Sequence, residues 1–296
     1  MTEPTTAPEA APEVDVAGAP RPRPRLRWWV EVLLALGFYG LYSYVRSRFG
    51  AGPESRTIAF HHAVDIIDLE RSLHLWFEPQ LQHWYLSLPG HGWVRGWNIF
   101  YGTAHFFVTI GLLIAAFAFA PHRYRFVRTM LAVTTALALL GFATFTLMPP
   151  RLLDASGTYG ACRGQRPGCN GYGLVDTIDR YGGIWKFGTG KASMISNQYA
   201  AMPSLHFGWS SWCAITLVII LGGGSVRRRR LRWLAFLYPS ATLFCILVTA
   251  NHYWLDALFG AIALAIGALV ATLVEHRRRP AHENSTTSAL ADRAII

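Results

Sequence analysis

The chain has 296 residues, 52% of them hydrophobic and 15% charged, with a formal net charge of +10. Soluble domains carry roughly 25% charged residues, and here the apolar residues also gather in long runs, so an ordinary soluble protein is excluded. The positive charge does not point to nucleic acid. The arginines sit in short clusters beside apolar runs, where they orient membrane proteins, instead of forming one basic face.

Residues 1–26 are rich in Ala, Pro, Glu and Thr without an apolar core, and are expected to be a disordered cytoplasmic N-terminus. They do not read as a cleavable signal, because the first apolar run begins only at Trp28 and is long enough to span. A helix crosses the hydrocarbon core in about 20 residues. Five runs approach or meet that length: Trp28–Val45, Trp97–Ala120, Phe126–Leu147, Leu231–Ala250 and Tyr253–Val274. A sixth, Leu205–Leu221, is shorter and begins with a polar stretch. The expected fold is therefore an all-α polytopic membrane bundle of six transmembrane helices over 27–279, with a disordered cytoplasmic tail over 280–296.

Six alternating spans place four arginine clusters on one side: Arg21 to Arg27, Arg123 to Arg128, Arg227 to Arg232 and Arg277 to Arg279. The positive-inside rule makes that side, and both termini, cytoplasmic. Connections 46–96, 148–204 and 250–252 then lie on the extracytoplasmic face of the plasma membrane. Within the first, apolar Ile58, Val64, Ile67, Leu69, Leu73 and Trp76 alternate with Asp65, Asp68, Glu70 and Arg71. This predicts an amphipathic helix lying at the interface. Trp84, Tyr85, Trp93 and Trp97 suit an aromatic belt at the same boundary. The long second connection holds Cys162 and Cys169, which are either a disulfide or two free thiols. Cys213 and Cys245 fall within spans and read as small packing residues.

Three segments carry chemistry, and the expected topology brings them to one face. They are Met148-Pro149-Pro150-Arg151, Ala201-Met202-Pro203-Ser204-Leu205-His206 and Asn251-His252-Tyr253-Trp254-Leu255-Asp256. Residues four apart share a helix face, so Asp256 can fix the tautomer of His252 and sharpen its other ring nitrogen as a nucleophile. A plain structural pair at a helix end is the competing reading. His206 at the same depth on another span tips the balance. Phosphoester cleavage needs a nucleophile and an acid for the departing oxygen, and two histidines divide that labour. Pro203 and Ser204 suit a helix start whose free N–H groups attract a phosphoryl oxygen. Arg151 has the planar fork to clamp a phosphate, unless it snorkels to lipid headgroups. His105 and Tyr101, on the second span, are candidates for lining the pocket, as a histidine at that depth avoids lipid.

These motifs together resemble the type 2 phosphatidic acid phosphatase superfamily. The wider pattern, including Tyr101-Gly102-Thr103-Ala104-His105-Phe106 and Pro149-Pro150-Arg151, is similar to the branch of inositol phosphorylceramide synthases and their bacterial relatives. The resemblance covers roughly 97–265. It implies His252 as the nucleophile that carries a transient phosphoryl adduct, Asp256 as its orienting carboxylate, and His206 as the acid and then base. It also implies chemistry without metal or organic cofactor. The family's usual pattern carries a lysine and arginine upstream and an arginine shortly before the nucleophile; here Thr249-Ala250-Asn251 stands there instead. Arg151, with Lys191 or Lys186, is the candidate replacement, and Ser204 and Asn251 complete the expected substrate-binding set.

The expected activity is phosphotransfer from a lipid-linked phosphoester to an alcohol. Hydrolysis of a lipid phosphate or diphosphate by the same trio is the alternative, and a polytopic transporter with an intramembrane proton relay is the rival from another class. A zinc site on His105, His206 and His252 is chemically conceivable, since imidazole suits zinc. No cysteine or further carboxylate supports it. Expected partners are the bilayer, a lipid phosphoester and an alcohol acceptor, and the oligomeric state is left open.

Overall fold

The computed structural model describes residues 27–48, 53–154, 159, 171–183, 199–222 and 226–277. The expectations for both termini, for Cys162 and Cys169, and for Lys186 and Lys191 lie outside the described residues. Ten α-helices follow one another among the described residues: α1 Trp28–Arg48, α2 Pro53–Ser72, α3 Glu78–Ser87, α4 Gly92–Phe119, α5 Pro121–Thr144, α6 Thr177–Tyr181, α7 Leu205–Leu221, α8 Val226–Leu234, α9 Leu237–Val248 and α10 Trp254–Arg277. A short 3-10 turn covers Pro150–Leu153. The only pairing of extended backbone described is an isolated parallel bridge between Leu147 and Ala200.

Among the described residues, four helical stretches are long and apolar enough to cross a membrane: Gly92–Phe119, Pro121–Thr144, Arg229–Val248 and Trp254–Arg277. Trp28–Leu41 and Leu205–Leu221 are apolar but shorter. The third long stretch is broken between α8 and α9. Pro239 sits in the first turn of α9 and has no N–H to give the carbonyl of Ala235, so the helix restarts there.

α10 packs along α5 and α7, while α7 also meets α4, α5 and α9. Close approach depends on small residues, as expected where lipid supplies no hydrophobic drive for helix association. A Cβ on Gly267 would stand 2.7 Å from the Met130 carbonyl oxygen and 2.6 Å from Thr134 Oγ1, so only glycine lets α10 lie this close to α5. At one end of the bundle, Arg128 pairs with Glu31 at 2.6 Å and Arg123 approaches Glu275 at 3.6 Å. The start of α1, the start of α5 and the end of α10 are thus held together at the arginine-rich end.

α2 exists, but its buried stripe differs from the expected one. Ala59, Ala63, Ile66, Ile67 and Glu70 are buried, whereas Ile58, Leu69 and Leu73 are exposed. The small alanines let the helix settle onto the protein, with the Met148 N–H donating to the Ala59 carbonyl at 3.1 Å. Of that stripe only Ile67 belongs to the expected apolar set; the two alanines and the glutamate lend it little hydrophobic contrast, so periodicity of large residues misplaces the face. Glu70 in particular was expected on the polar face and is 0% exposed.

Candidate active site

Two helix starts build the site, and they are made differently. α9 ends in a Schellman turn: Ala250 N–H donates to the Leu247 carbonyl and Asn251 N–H to the Ile246 carbonyl, each at 3.0 Å. Ala250 occupies the left-handed position at φ +52°, which a side chain ordinarily avoids. The Arg151 N–H donates to the Ala250 carbonyl at 2.6 Å and anchors the turn to the 3-10 segment. The Asn251 amide donates to Thr249 Oγ1 at 2.8 Å, so this expected substrate contact is engaged within the turn.

His252 therefore lies before α10, not on it, which corrects the expectation of a shared helix face. The pair forms across the helix start. Asp256, in the first turn, accepts from the Tyr253 N–H at 3.0 Å and stands 3.1 Å from His252 Nδ1 through the same Oδ2. This is one arm of a capping box, in which the third helical residue reaches back to the N-cap amide. Asp256 is 0% exposed and His252 only 3%.

The second start is α7. Ser204 is its N-cap, and the hydroxyl accepts from the Phe207 N–H at 3.4 Å. Ser204 is fully buried, so its hydroxyl serves the helix rather than facing an open site. Its backbone joins the two starts directly, as the Ser204 N–H donates to the Asp256 carbonyl at 2.8 Å. A Cβ on Gly260 would collide with the Ser204 carbonyl oxygen, so glycine is required one turn into α10.

This backbone contact brings the imidazoles together. His252 Nε2 lies 3.2 Å from His206 Nδ1, with ring centroids 5.3 Å apart. The hydrogen-bond network implies the tautomers. If His252 Nδ1–H donates to Asp256, Nε2 offers a lone pair, and His206 Nδ1 must carry the proton between the rings. A nucleophilic nitrogen and an acid proton then face the same point. His206 is held by rings: Tyr101 stacks on it at 4.1 Å and His105 meets it edge-on at 4.2 Å. His105 Nδ1 lies 3.0 Å from the Tyr101 carbonyl one turn earlier. A recess bordered by Tyr101, His105, His206, Tyr238 and Thr242 opens beside this stack.

Of the other expected binding residues, Arg151 is nearly buried and donates to Asp176 Oδ2 at 2.9 Å. Asp176 also caps α6, accepting from the Ile178 N–H, while its own N–H donates to Asp154 Oδ2 at 2.7 Å. The sequence reading missed Asp176, because it lies in a glycine-rich connection without periodicity. It also missed two glutamates behind His252. Glu78 Oε1 accepts from the Trp254 N–H at 3.0 Å and Glu70 Oε1 from the Leu255 N–H at 3.4 Å. Burial, then the neighbouring Glu78, push the Glu70 carboxyl up to about 10, and burial also raises Glu78. The pairing of glutamates with a helix start 176 to 185 residues away leaves no local signal.

No curated protein and no solved structure matches this chain significantly. The family model of the PAP2 superfamily does match, over residues 64–271, which takes in both histidines, Asp256, Arg151 and both buried glutamates. With more than half of its length so matched, the chain belongs to the PAP2 superfamily.

Proposed function

We propose that this membrane phosphatase-type enzyme is a phosphotransferase acting on a lipid-linked phosphoester through a phosphohistidine intermediate. The observation that carries the reading is the relay Asp256 Oδ2, His252 Nδ1, His252 Nε2, His206 Nδ1, at 3.1 and 3.2 Å. A phosphoryl group entering between the rings replaces their hydrogen bond. His252 Nε2 forms a bond to phosphorus, the phosphorus–oxygen bond to the leaving group breaks, and His206 gives that oxygen its proton. Asp256 stabilises the positive ring of the adduct. His206, now neutral, takes the proton of an incoming alcohol, whose oxygen attacks phosphorus and frees His252. Water in place of alcohol gives hydrolysis by the same steps.

Arg151 lies next to the turn that holds His252 and is the phosphate-binding candidate on the described chain, with Asp176 fixing its guanidinium. The reading includes six spans, α1, α4, α5, α7, α8 with α9, and α10, with α2 at the interface. It puts the site at the extracytoplasmic face of the plasma membrane and the arginine-rich end in the cytoplasm. The ion pairs that gather the start of α1, the start of α5 and the end of α10 support that orientation. The motif variant around His206 and His252, similar to inositol phosphorylceramide synthases, favours transfer over hydrolysis.

The test is incubation of the purified protein with labelled phosphatidate or phospholipid and candidate alcohols. A new labelled lipid is expected. Free phosphate as the sole product would replace transfer by hydrolysis. Uptake of an unaltered solute into vesicles, with no covalent product, would replace the enzyme by a transporter.

A further inference from the structure

We propose that Glu70 and Glu78 share one proton and together position His252 and Asp256 from behind, by holding the first two amide groups of α10. The proposal rests on the reading of His252 as nucleophile and adds to it a pair of residues that never touch substrate. Both side chains are fully buried, one at the end of α2 and the other at the start of α3. They converge on the backbone N–H groups of Trp254 and Leu255, two and three residues past His252. A helix N-terminus favours negative charge, and these two amides have no intrahelical acceptor, so the carboxylates satisfy donors that would otherwise be buried unpaired.

Two full charges do not fit there. Glu78 Oε2 accepts from the Phe77 N–H at 3.1 Å, whereas Glu70 Oε2 is buried with no donor. A proton on Glu70 turns that orphaned oxygen into a donor, and the neighbouring Glu78 carboxylate is the acceptor it would serve. The groups around the pair agree. From α10 it faces Asp256, and from the preceding turn Tyr253, whose ring lies tilted against Trp76 at 6.2 Å. Arg71, next to Glu70 in sequence, turns outward to Asp68 at 3.6 Å and does not neutralise it. Burial and the acidic neighbours Glu78 and Asp256 all favour the protonated form of Glu70. One proton shared between the two glutamates lowers the negative charge of the cluster behind His252 by one.

The shared proton has two consequences. It lets α2 and α3 grip the start of α10 without mutual repulsion, which fixes the direction of the His252 ring toward His206. It also leaves the Glu78 charge to favour the cationic ring formed in the adduct. A pair that only tied the fold together would affect stability and leave the ionisation of the site alone.

The experiment measures kcat, KM and their pH profiles for the full-length protein in detergent micelles with labelled short-chain phosphatidate and an alcohol acceptor, reading conversion of the labelled lipid to product, alongside thermal unfolding. Glu70→Leu is expected to lower kcat at least tenfold with KM within about twofold, and Glu70→Gln, which keeps a donor and an acceptor, to restore most of that loss. Glu78→Gln removes one negative charge near His252 and is expected to move the acidic limb of kcat/KM down by about one pH unit. Wild-type kcat in Glu70→Leu, or an unmoved acidic limb in folded Glu78→Gln, would overturn the proposal. Should Glu70→Leu fail to fold, the Gln variants still decide it. Turnover by His252→Ala would instead overturn the nucleophile reading, so the two failures are separable.

Discussion

The two histidines of the site are held by opposite means. His252 sits between two helices in a turn where almost every polar group is hydrogen-bonded: the Schellman turn on one side, the Asp256 arm and the two glutamates on the other. His206 stands in the first turn of a helix, and aromatic rings flank it on α4. Hydrogen bonds fix direction, which the proposed attacking nitrogen needs. Stacking confines a ring to a plane while its Nδ1 meets His252, which suits the proposed acid and base. On that proposal the contrast divides rigidity between the two halves of the reaction.

Removing the carboxylate from the rigid side should have the largest effect. Asp256→Asn is expected to cut kcat by about a thousandfold, since loss of the orienting carboxylate in a triad leaves the imidazole in the wrong tautomer. Steady-state rates with the labelled lipid check it, and a loss under tenfold would make Asp256 a structural cap. Next comes the contact that joins the halves. Gly260→Ala drives a methyl into the Ser204 carbonyl and should destabilise the bundle by about 1–3 kcal/mol while separating the rings, as overpacking does. Thermal unfolding and the rate are read together; unchanged values would show that the starts of α7 and α10 need not be so close.

On the stacked side, Tyr101→Leu should be milder, lowering kcat about tenfold, in line with loss of one aromatic contact of about 0.5–1.5 kcal/mol. A loss as deep as that of Asp256→Asn would erase the distinction between the two histidines. The smallest effect is expected at Ala250. Ala250→Gly relieves the left-handed strain and should raise stability by about 1 kcal/mol with activity nearly kept, whereas a β-branched residue there should do the reverse. Comparing unfolding midpoints of the two variants reads this directly.

Much of the site was legible because its signals are local. His252 and Asp256 announce themselves by spacing, Ser204 by its place before an apolar run, and Arg151 by the prolines before it. The helical reading of His252 was nonetheless wrong in detail. The sequence places a connection at 250–252, but alanine at 250 hides the left-handed turn that glycine would advertise, so nothing local shows that His252 stands off the helix of Asp256. Helix α2 shows a related limit, since beside Ile66 and Ile67 its buried face carries two alanines and a glutamate that no apolar periodicity marks.

Composition and residue order alone place the chain in a membrane, locate its apolar runs and single out the residues proposed to bear the chemistry. Those follow from composition and from residue types a few positions apart, both written along the chain. Only the tertiary structure decided that Ser204 meets Asp256, that Tyr101 and His105 flank His206, that Arg151 leans on Asp176, and that Glu70 and Glu78 cap a helix begun far downstream. Each is a contact between distant segments, set by how closely backbones pack at Gly260 and Gly267 and by where buried polar groups find partners.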